Sequence, residues 1–561
     1  MKPIIYQVFT RLFGNRNTTC KQDGTLTENG CGKFNDFDEK TLRRIRNLGA
    51  THIWFTGVIR HASTTDYTKY GIPCQHAQVV KGKAGSPYAI TDYYDVDPDL
   101  AVDVEHRMDE WVALIERTHK AGMKVIMDFV PNHVAREYHS VCKPKQVRDL
   151  GEFDDTGKHF SPQNNFYYCW GKPLDLSNIP LQTSAGEEGD LFASHYEENP
   201  AKATGNDQFS NRPERNDWYE TVKLNYGVDY CDAGGRSEHF NPIPDTWQKM
   251  TDILLFWAKK GIDGFRCDMA EMVPAAFWIW ATDKVKFVYP EMLFIGEVYN
   301  PAEYRNYIAA GFDYLYDKVG MYDCVRSIIN GGRPAGDITY QWQHTDDIRK
   351  HMLYFLENHD EQRIASSFFA GDAVKGLPGL IISALLQANP FMLYAGQEFG
   401  EAGMDQEGFS GRDGRTTIFD YWSVDTIRRG YYDRRRLSDY EKQLESAYQF
   451  ILNLANSEKA FSEGDFFDLM YVNQHIADRQ YAFMRQADDE NILVIVNFDG
   501  EDALIDLNIP QHAIDYFGIE KKTYTIVDLF SGTSIEAEVL GEHAIKVEIP
   551  AYGARIFKMK L

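Results

Sequence analysis

Four short stretches of this chain place ionisable groups at the ends of apolar runs. Ile262 to Asp268 reads Ile-Asp-Gly-Phe-Arg-Cys-Asp. In a strand, side chains two apart share a face, so Arg266 and Asp268 lie together at its carboxyl end. A guanidinium beside a carboxylate keeps it ionised and oriented, as a carboxylate nucleophile requires. Asp128 with Asn132 and His133, Glu297, and the run Glu357-Asn-His-Asp360 complete the set. Taken singly, each has a structural explanation: a salt bridge, a helix cap, or a histidine bonded to a backbone carbonyl. Four on one rim point to catalysis. Two carboxyls with an assisting acid suit glycosidic bond cleavage, in which one stays charged while another holds a proton for the leaving oxygen. Asp128, His133, Asp268, Glu297 and His359 could also surround a divalent ion, but the fixed positive charge of Arg266 beside Asp268 opposes one.

The elements that must carry these groups alternate between strand and helix. Ile4–Phe9, His52–Phe55, Lys124–Val130, Ile262–Arg266, Leu293–Glu297, Phe312–Tyr316, Met352–Leu356 and Pro390–Leu393 read as strands, and Asp38–Leu48, Val104–Ala121 and Pro244–Lys260 as helices between them. Near-continuous apolar strands separated by helices predict a parallel sheet covered on both faces, and eight such strands close a (β/α)8 TIM barrel, whose functional residues stand at the carboxyl ends of the strands. After Val134 the rhythm stops for roughly 90 residues rich in Asn, Asp, Gly and aromatics, too long for an ordinary loop. Beyond Ser457, short alternating runs such as Tyr481–Met484, Leu493–Phe498, Thr523–Leu529 and Ile545–Ile549, broken by Asp499-Gly500 and Ser531-Gly532, predict an all-β sandwich. The expected organisation is a barrel over 1–134 and 222–456, an inserted domain over 135–221, and a C-terminal antiparallel β-sandwich over 457–561.

With 83 acidic against 59 basic residues the formal charge is -24, which disfavours nucleic acid and anionic membrane surfaces as partners. Aromatics reach 14%, and sugar clefts use such rings as stacking platforms. No apolar window of about 18 residues predicts a membrane span. The amino terminus passes straight into a strand-like run without a signal-peptide pattern, so a cytoplasmic location is expected of the sequence as given, and a removed leader would change that compartment. The eight cysteines form no Cys-x-x-Cys pair. They are expected as free, mostly buried thiols, with Cys20 and Cys31 the pair to inspect for a disulfide.

The segments Asp128-Phe-Val-Pro-Asn-His133, Gly264-Phe-Arg-Cys-Asp268, Ile295-Gly-Glu297 and Asn358-His-Asp360 resemble, in order and spacing, the four sequence blocks of the α-amylase family of glycoside hydrolases. The insertion resembles that family's domain B, and Pro550-Ala-Tyr-Gly-Ala-Arg-Ile-Phe557 the close of its terminal sandwich. The resemblance implies Asp268 as nucleophile, Glu297 as acid/base, and Asp360 as the residue that grips the sugar and stabilises the transition state. It implies that Arg266 holds Asp268 and counts among the substrate-binding residues, that Asp128 orients Arg266 with Asn132 in support, that His133 and His359 bind sugar hydroxyls, that Tyr88 stacks under the sugar, and that Arg363 is a second sugar-binding arginine. The implied partner is an α-glucan or maltooligosaccharide, cleaved by a retaining double displacement. No cofactor serves that chemistry, and the insertion's Asp and Asn side chains could offer ligands to a structural calcium.

Several positions depart from the family's pattern. Glu271 and Met272 stand where calcium-binding amylases usually carry Lys-His, Met269 follows the implied nucleophile, Gly85 stands where exo-acting relatives carry an aspartate, and Val222-Lys-Leu-Asn-Tyr226 fills the fifth block in an unfamiliar form. Bond preference and chain-length preference therefore stay open. Glucosyl or maltosyl transfer on the same site, and a sugar- or partner-binding barrel without catalysis, are the alternative functions.

Overall fold

The computed structural model describes residues 1–179, 195–403, 412–539 and 542–560. Residues 180–194 of the expected insertion, 404–411 of the barrel segment, and 540, 541 and 561 near the C-terminus lie outside them. Eight parallel strands close a barrel: β1 Ile4–Phe9, β2 His52–Thr56, β3 Lys124–Phe129, β4 Gly264–Cys267, β5 Leu293–Gly296, β6 Tyr314–Tyr316, β7 Met352–Phe355 and β8 Phe391–Tyr394, with β8 pairing back onto β1. The strands end within two residues of the sequence expectation at their carboxyl ends, because there the chain turns off the ladder into the loops. The helix Glu39–Asn47 starts where Asp38 accepts the Thr41 N–H at 2.7 Å, satisfying one of the free donors of its first turn.

The barrel is filled by a layer that includes Ile5, Trp54, Ile126, Ile295, Leu353 and Met392. Two residues further along β3 and β5, on the same side of the strand, stand Asp128 and Glu297. The apolar layer is thus the floor on which the polar groups sit. In register, Arg266 of β4 pairs with Asp128 of β3 on one side and with Ile295 of β5 on the other.

The chain leaves β3 through His133–Ala135, which pairs antiparallel with Thr221–Lys223. One two-stranded ribbon therefore opens and closes the excursion and brings His133 and Glu220 to the same rim. The stretch after β2 contains a second ribbon of Ile59–His61 against Ile90–Val96.

The C-terminal part has β9 Asp465–Asp468, β10 Gln480–Ala487, β11 Glu490–Asn497, β12 Ala503–Ile509, β13 Lys522–Asp528, β14 Ser534–Val539, β15 His543–Ile549 and β16 Ala554–Lys560. They form a six-stranded antiparallel sheet in the order β9-β10-β11-β16-β13-β14 and a separate pair β12-β15. The unit also carries the short helix Gln511–Phe517, which buries Ala513, Ile514 and Phe517 in the same core. Buried Arg485 on β10 has backbone carbonyls as its hydrogen-bond partners, among them Leu385 and Leu386 at the end of the helix Leu377–Leu385, and Lys2 donates to Ala384 and Gln387 of the same segment. Arg485, at the C-terminus of that helix, meets its partial negative charge and fastens this part to the barrel.

Among the described residues no helix is long and apolar enough to cross a membrane. All eight cysteines are free, Cys20 and Cys31 included, and only Cys169, Cys267 and Cys324 are buried. The expectation of mostly buried thiols fails because Cys74, Cys142 and Cys231 fall in exposed loops rather than in the barrel.

Candidate active site

Asp268 and Glu297 stand one residue beyond β4 and β5, and both stay on the ladder through their backbones: the Asp268 N–H donates to Phe129 O at 2.9 Å and the Glu297 N–H to Cys267 O at 3.1 Å. Between them lies Arg266, fully buried. Its Nη1 donates to Asp268 Oδ1 at 2.8 Å and reaches Asp128 Oδ1 at 3.4 Å, and Nε donates to the Tyr316 hydroxyl at 3.2 Å. Nη2 is 2.8 Å from Glu297 Oε2, an ion pair lying off the hydrogen-bond axis. One guanidinium thus serves three carboxyl groups, flanked by the rings of Trp54, Tyr88 and Tyr316 at 5.1 to 5.5 Å.

Glu297 has further partners. Its Oε2 accepts the Met269 N–H at 2.8 Å, made available by the left-handed backbone of Met269 (φ 43°), and its Oε1 accepts the Tyr299 hydroxyl at 2.6 Å. Asp128 accepts the Trp54 indole N–H at 3.0 Å, and burial, opposed by Arg266, pushes its carboxyl up to about 6. Burial, and next the Glu297 charge, push Asp268 well above the ordinary carboxylate range, while Arg266 pulls the other way.

Across the cavity, Asp360 keeps 39% of its side chain exposed while His359 is covered. The His359 Nδ1 faces Gln7 Nε2 at 2.8 Å and its Nε2 faces the Tyr88 hydroxyl at 2.5 Å. Burial, then the charge of Arg266, lower His359 to about 3; burial, then Lys223 and Lys81, do the same for His133. Both imidazoles are neutral at neutral pH and suited to bonding hydroxyls. Tyr88, His133, Asp268, Glu297, Tyr299 and Asp360 line one cavity of about 350 Å³. It continues past Lys81, Trp218 and Phe419 into a second of about 610 Å³, which reaches His359, Arg215 and Arg415. In the shared wall the buried Lys81 and Glu220 form an ion pair of 3.0 Å.

Most of the residues expected from the sequence are therefore gathered here, with two corrections. Arg363 does not reach the cavity: its guanidinium is turned inward onto Glu357 Oε2 at 2.8 Å, the Thr416 hydroxyl at 2.9 Å and Ala395 O at 3.0 Å, against the Tyr394 ring. Arg363 is 1% exposed and lines neither cavity, so it does not grip a sugar there. Arg266 likewise lies beneath the carboxyls rather than in the cavity wall, so it holds acids, not substrate. Asn132 braces the insertion, donating to Gly205 O and accepting from buried Lys223, whose ammonium also pairs with Asp207 at 2.6 Å.

Sequence reading missed Tyr299, Tyr316, Trp54, Gln7 and the Lys81–Glu220 pair. For Tyr299 a signal existed: it stands two residues beyond Glu297, a spacing that keeps both on one side of an extended chain.

Among the described residues of the insertion the donors fit a structural calcium poorly. Asp207 and Asn132 are held by an ammonium, and Asp154 accepts the backbone N–H groups of Asn165 and Phe166 and the Tyr168 hydroxyl. Among the described residues the His, Cys, Asp and Glu grouping that could share an ion is Asp92, Asp95 and Cys142. Its carboxylates already bind Arg60 and Arg107.

A closed β/α barrel with a charged cluster at the carboxyl ends of its strands defines the class, a barrel enzyme. The model of the α-amylase catalytic domain matches residues 7–460, and that of the maltogenic amylase C-terminal domain matches 472–556. The chain belongs to the α-amylase family of glycoside hydrolases and is a glycosidase. Alpha-amylase 3 of Dictyoglomus thermophilum is 23% identical over 525 residues, 88% of this chain and 84% of the relative. Neopullulanase 2 of Thermoactinomyces vulgaris is 21% identical over 530 residues, 91% and 71% of the two chains. Among solved structures, the α-amylase of Geobacillus thermoleovorans complexed with acarbose shares the fold with a TM-score of 0.64 at 19% identity, covering 100% of this chain and 98% of that one.

Proposed function

We propose that the enzyme hydrolyses α-1,4-glucosidic bonds of maltooligosaccharides or starch-derived α-glucans with retention of configuration. The observation that carries this reading is the single buried guanidinium of Arg266 shared by Asp268 and Glu297. It holds the two carboxyls close, as a retaining pair at about 5–5.5 Å requires, and it keeps negative charge on one of them. In this reading Asp268 attacks the anomeric carbon as Glu297 protonates the departing glycosidic oxygen. Glu297 then takes a proton from water, which attacks the glycosyl-enzyme and restores Asp268. Asp360, the most exposed of the three acids, binds sugar hydroxyls together with the neutral His133 and His359, and Tyr88 supplies the stacking face.

Gly85 bears on the open question of chain end. Its backbone has φ +73° and a Cβ there would stand 1.7 Å from Ala62 O, so no side chain can project from it to close a pocket on a non-reducing end. The test is a timed product profile on maltoheptaose with and without glucose as acceptor. Scattered products that shorten with time support hydrolysis in an open cleft, glucose alone would replace it with exo action, and products longer than the substrate would replace it with transfer.

A further inference from the structure

The cleavage cavity of about 350 Å³ and the outer cavity of about 610 Å³ have five lining residues in common: Lys81, Trp218, Asp360, Ile418 and Phe419. A chain of sugar units that extends from one cavity into the other passes between them. The loops that build this neck are tied together before any ligand arrives. Gly82 stands so close to the loop after β8 that a Cβ on it would lie 2.2 Å from Phe419 O, and the same oxygen accepts the Ala84 N–H at 3.1 Å. Buried Arg11 donates to Ile418 O at 2.7 Å. From the insertion, the Trp218 ring packs on that of His133 with centroids 5.2 Å apart.

Lys81 brings an ammonium into this neck, where it is 8% exposed and paired with Glu220, which is 4% exposed. A buried ion pair is weak evidence for stability, since apolar groups of similar volume often serve the fold as well. The hydrogen bonding of the pair points to the cavity instead. An ammonium has three N–H donors. Among the described residues, Lys81 Nζ donates to Asp217 O at 3.3 Å, while Glu220 Oε2, at 3.0 Å, lies off the hydrogen-bond axis. The Tyr219 ring, 5.2 Å from Nζ, covers another side. At least one N–H is therefore left for a group that enters the neck, and a covered donor left unmet is costly. Glu220 and Asp360 offset the ammonium's charge, so the neck selects no anion. A neutral hydroxyl oxygen is the acceptor that fits.

We propose that Lys81 is a specificity-determining residue: its free donor bonds a hydroxyl of the sugar unit in the neck, and so favours chains that span both cavities over substrates that fill only the cleavage cavity; the identity of the chain rests on the α-glucan reading above. Because the loops of the neck are fixed to one another, the donor stands in place before the chain arrives, and little ordering is lost on binding.

The test follows the ratio of kcat/KM for maltoheptaose to kcat/KM for α-glucosyl fluoride, a single glucose unit that carries its own leaving group. Lys81→Met combined with Glu220→Gln removes both charges and strands neither. It is expected to lower the ratio by about tenfold, the worth of one hydrogen bond from a charged donor. Lys81→Gln keeps a donor without the charge and is expected to lower it by about threefold. Thermal midpoints near that of wild type show which variants are folded, and either folded variant decides. A ratio unchanged in a folded variant, whether or not both rates fall, would overturn the proposal. A wild-type enzyme that acts on α-glucosyl fluoride and not on maltoheptaose would instead defeat the α-glucan reading, and this inference with it.

Discussion

The Tyr299 hydroxyl donates to Glu297 Oε1 at 2.6 Å from two residues along the same chain. A donor of this kind fixes the orientation of the carboxyl. Tyr299→Phe removes it and is therefore expected to lower kcat on maltoheptaose by about tenfold with the thermal midpoint little changed. A kcat equal to wild type would assign Tyr299 to packing alone.

Asp268→Asn keeps the shape of the side chain and removes the attacking oxygen's charge. Turnover of maltoheptaose should fall by about 10⁴-fold or more, with the thermal midpoint within a few degrees of wild type. Near-normal turnover would remove Asp268 from the role of nucleophile.

Arg266 is the sole guanidinium touching Asp128, Asp268 and Glu297 among the described residues. Arg266→Met leaves buried carboxyls without their cation and is expected to cost about 3–5 kcal/mol, measured by urea unfolding at pH 7. Arg266→Lys should recover only part of this, since one ammonium cannot reproduce a planar fork. Full recovery by lysine would show that charge alone, without geometry, suffices.

Gly85→Asp should not build an exo pocket. The positive φ and the approach of Ala62 O predict an unfolding midpoint well below wild type and no shift of products toward glucose. A stable variant that releases glucose alone would contradict the geometry.

Burial lowers His52 from 6.5 to about 4, with the charge of Lys124 adding to the effect, and its Nε2 has no partner. Between those values the unfolded chain binds the proton and the fold does not, so stability is full above 6.5 and is lost as pH falls toward 4, by about 3 kcal/mol. His52→Leu should flatten the fall in urea midpoint between pH 7 and pH 4.5. Parallel slopes for the two proteins would rule the histidine out as a source of acid lability.

The sequence by itself determined which acids stand on the rim. Side chains two apart share a face of a strand, and a strand that ends on an acid presents it at the carboxyl end, so Asp128, Asp268 and Glu297 could be placed from local pattern alone, and alternation of strand and helix was enough for the barrel. Asp360 lies in the turn beyond the seventh strand, Met352–Phe355, so strand alternation did not place it and the resemblance of Asn358-His-Asp360 did.

Only the tertiary structure decided what each group faces. Arg363 stands four residues after His359 and looked equally available, yet it bonds Glu357, Thr416 and Ala395 because the segment after β8 folds back over it. Trp54 meets Asp128 across 74 positions, Tyr316 meets Arg266 across 50, Gln7 meets His359 across 352, and Lys81 meets Glu220 on the far side of the insertion. Spacing along a chain fixes the side of an element on which a residue lies. The closure of the barrel and the fold of its loops select the partner, because contacts between distant segments exist only once their backbones have been brought together.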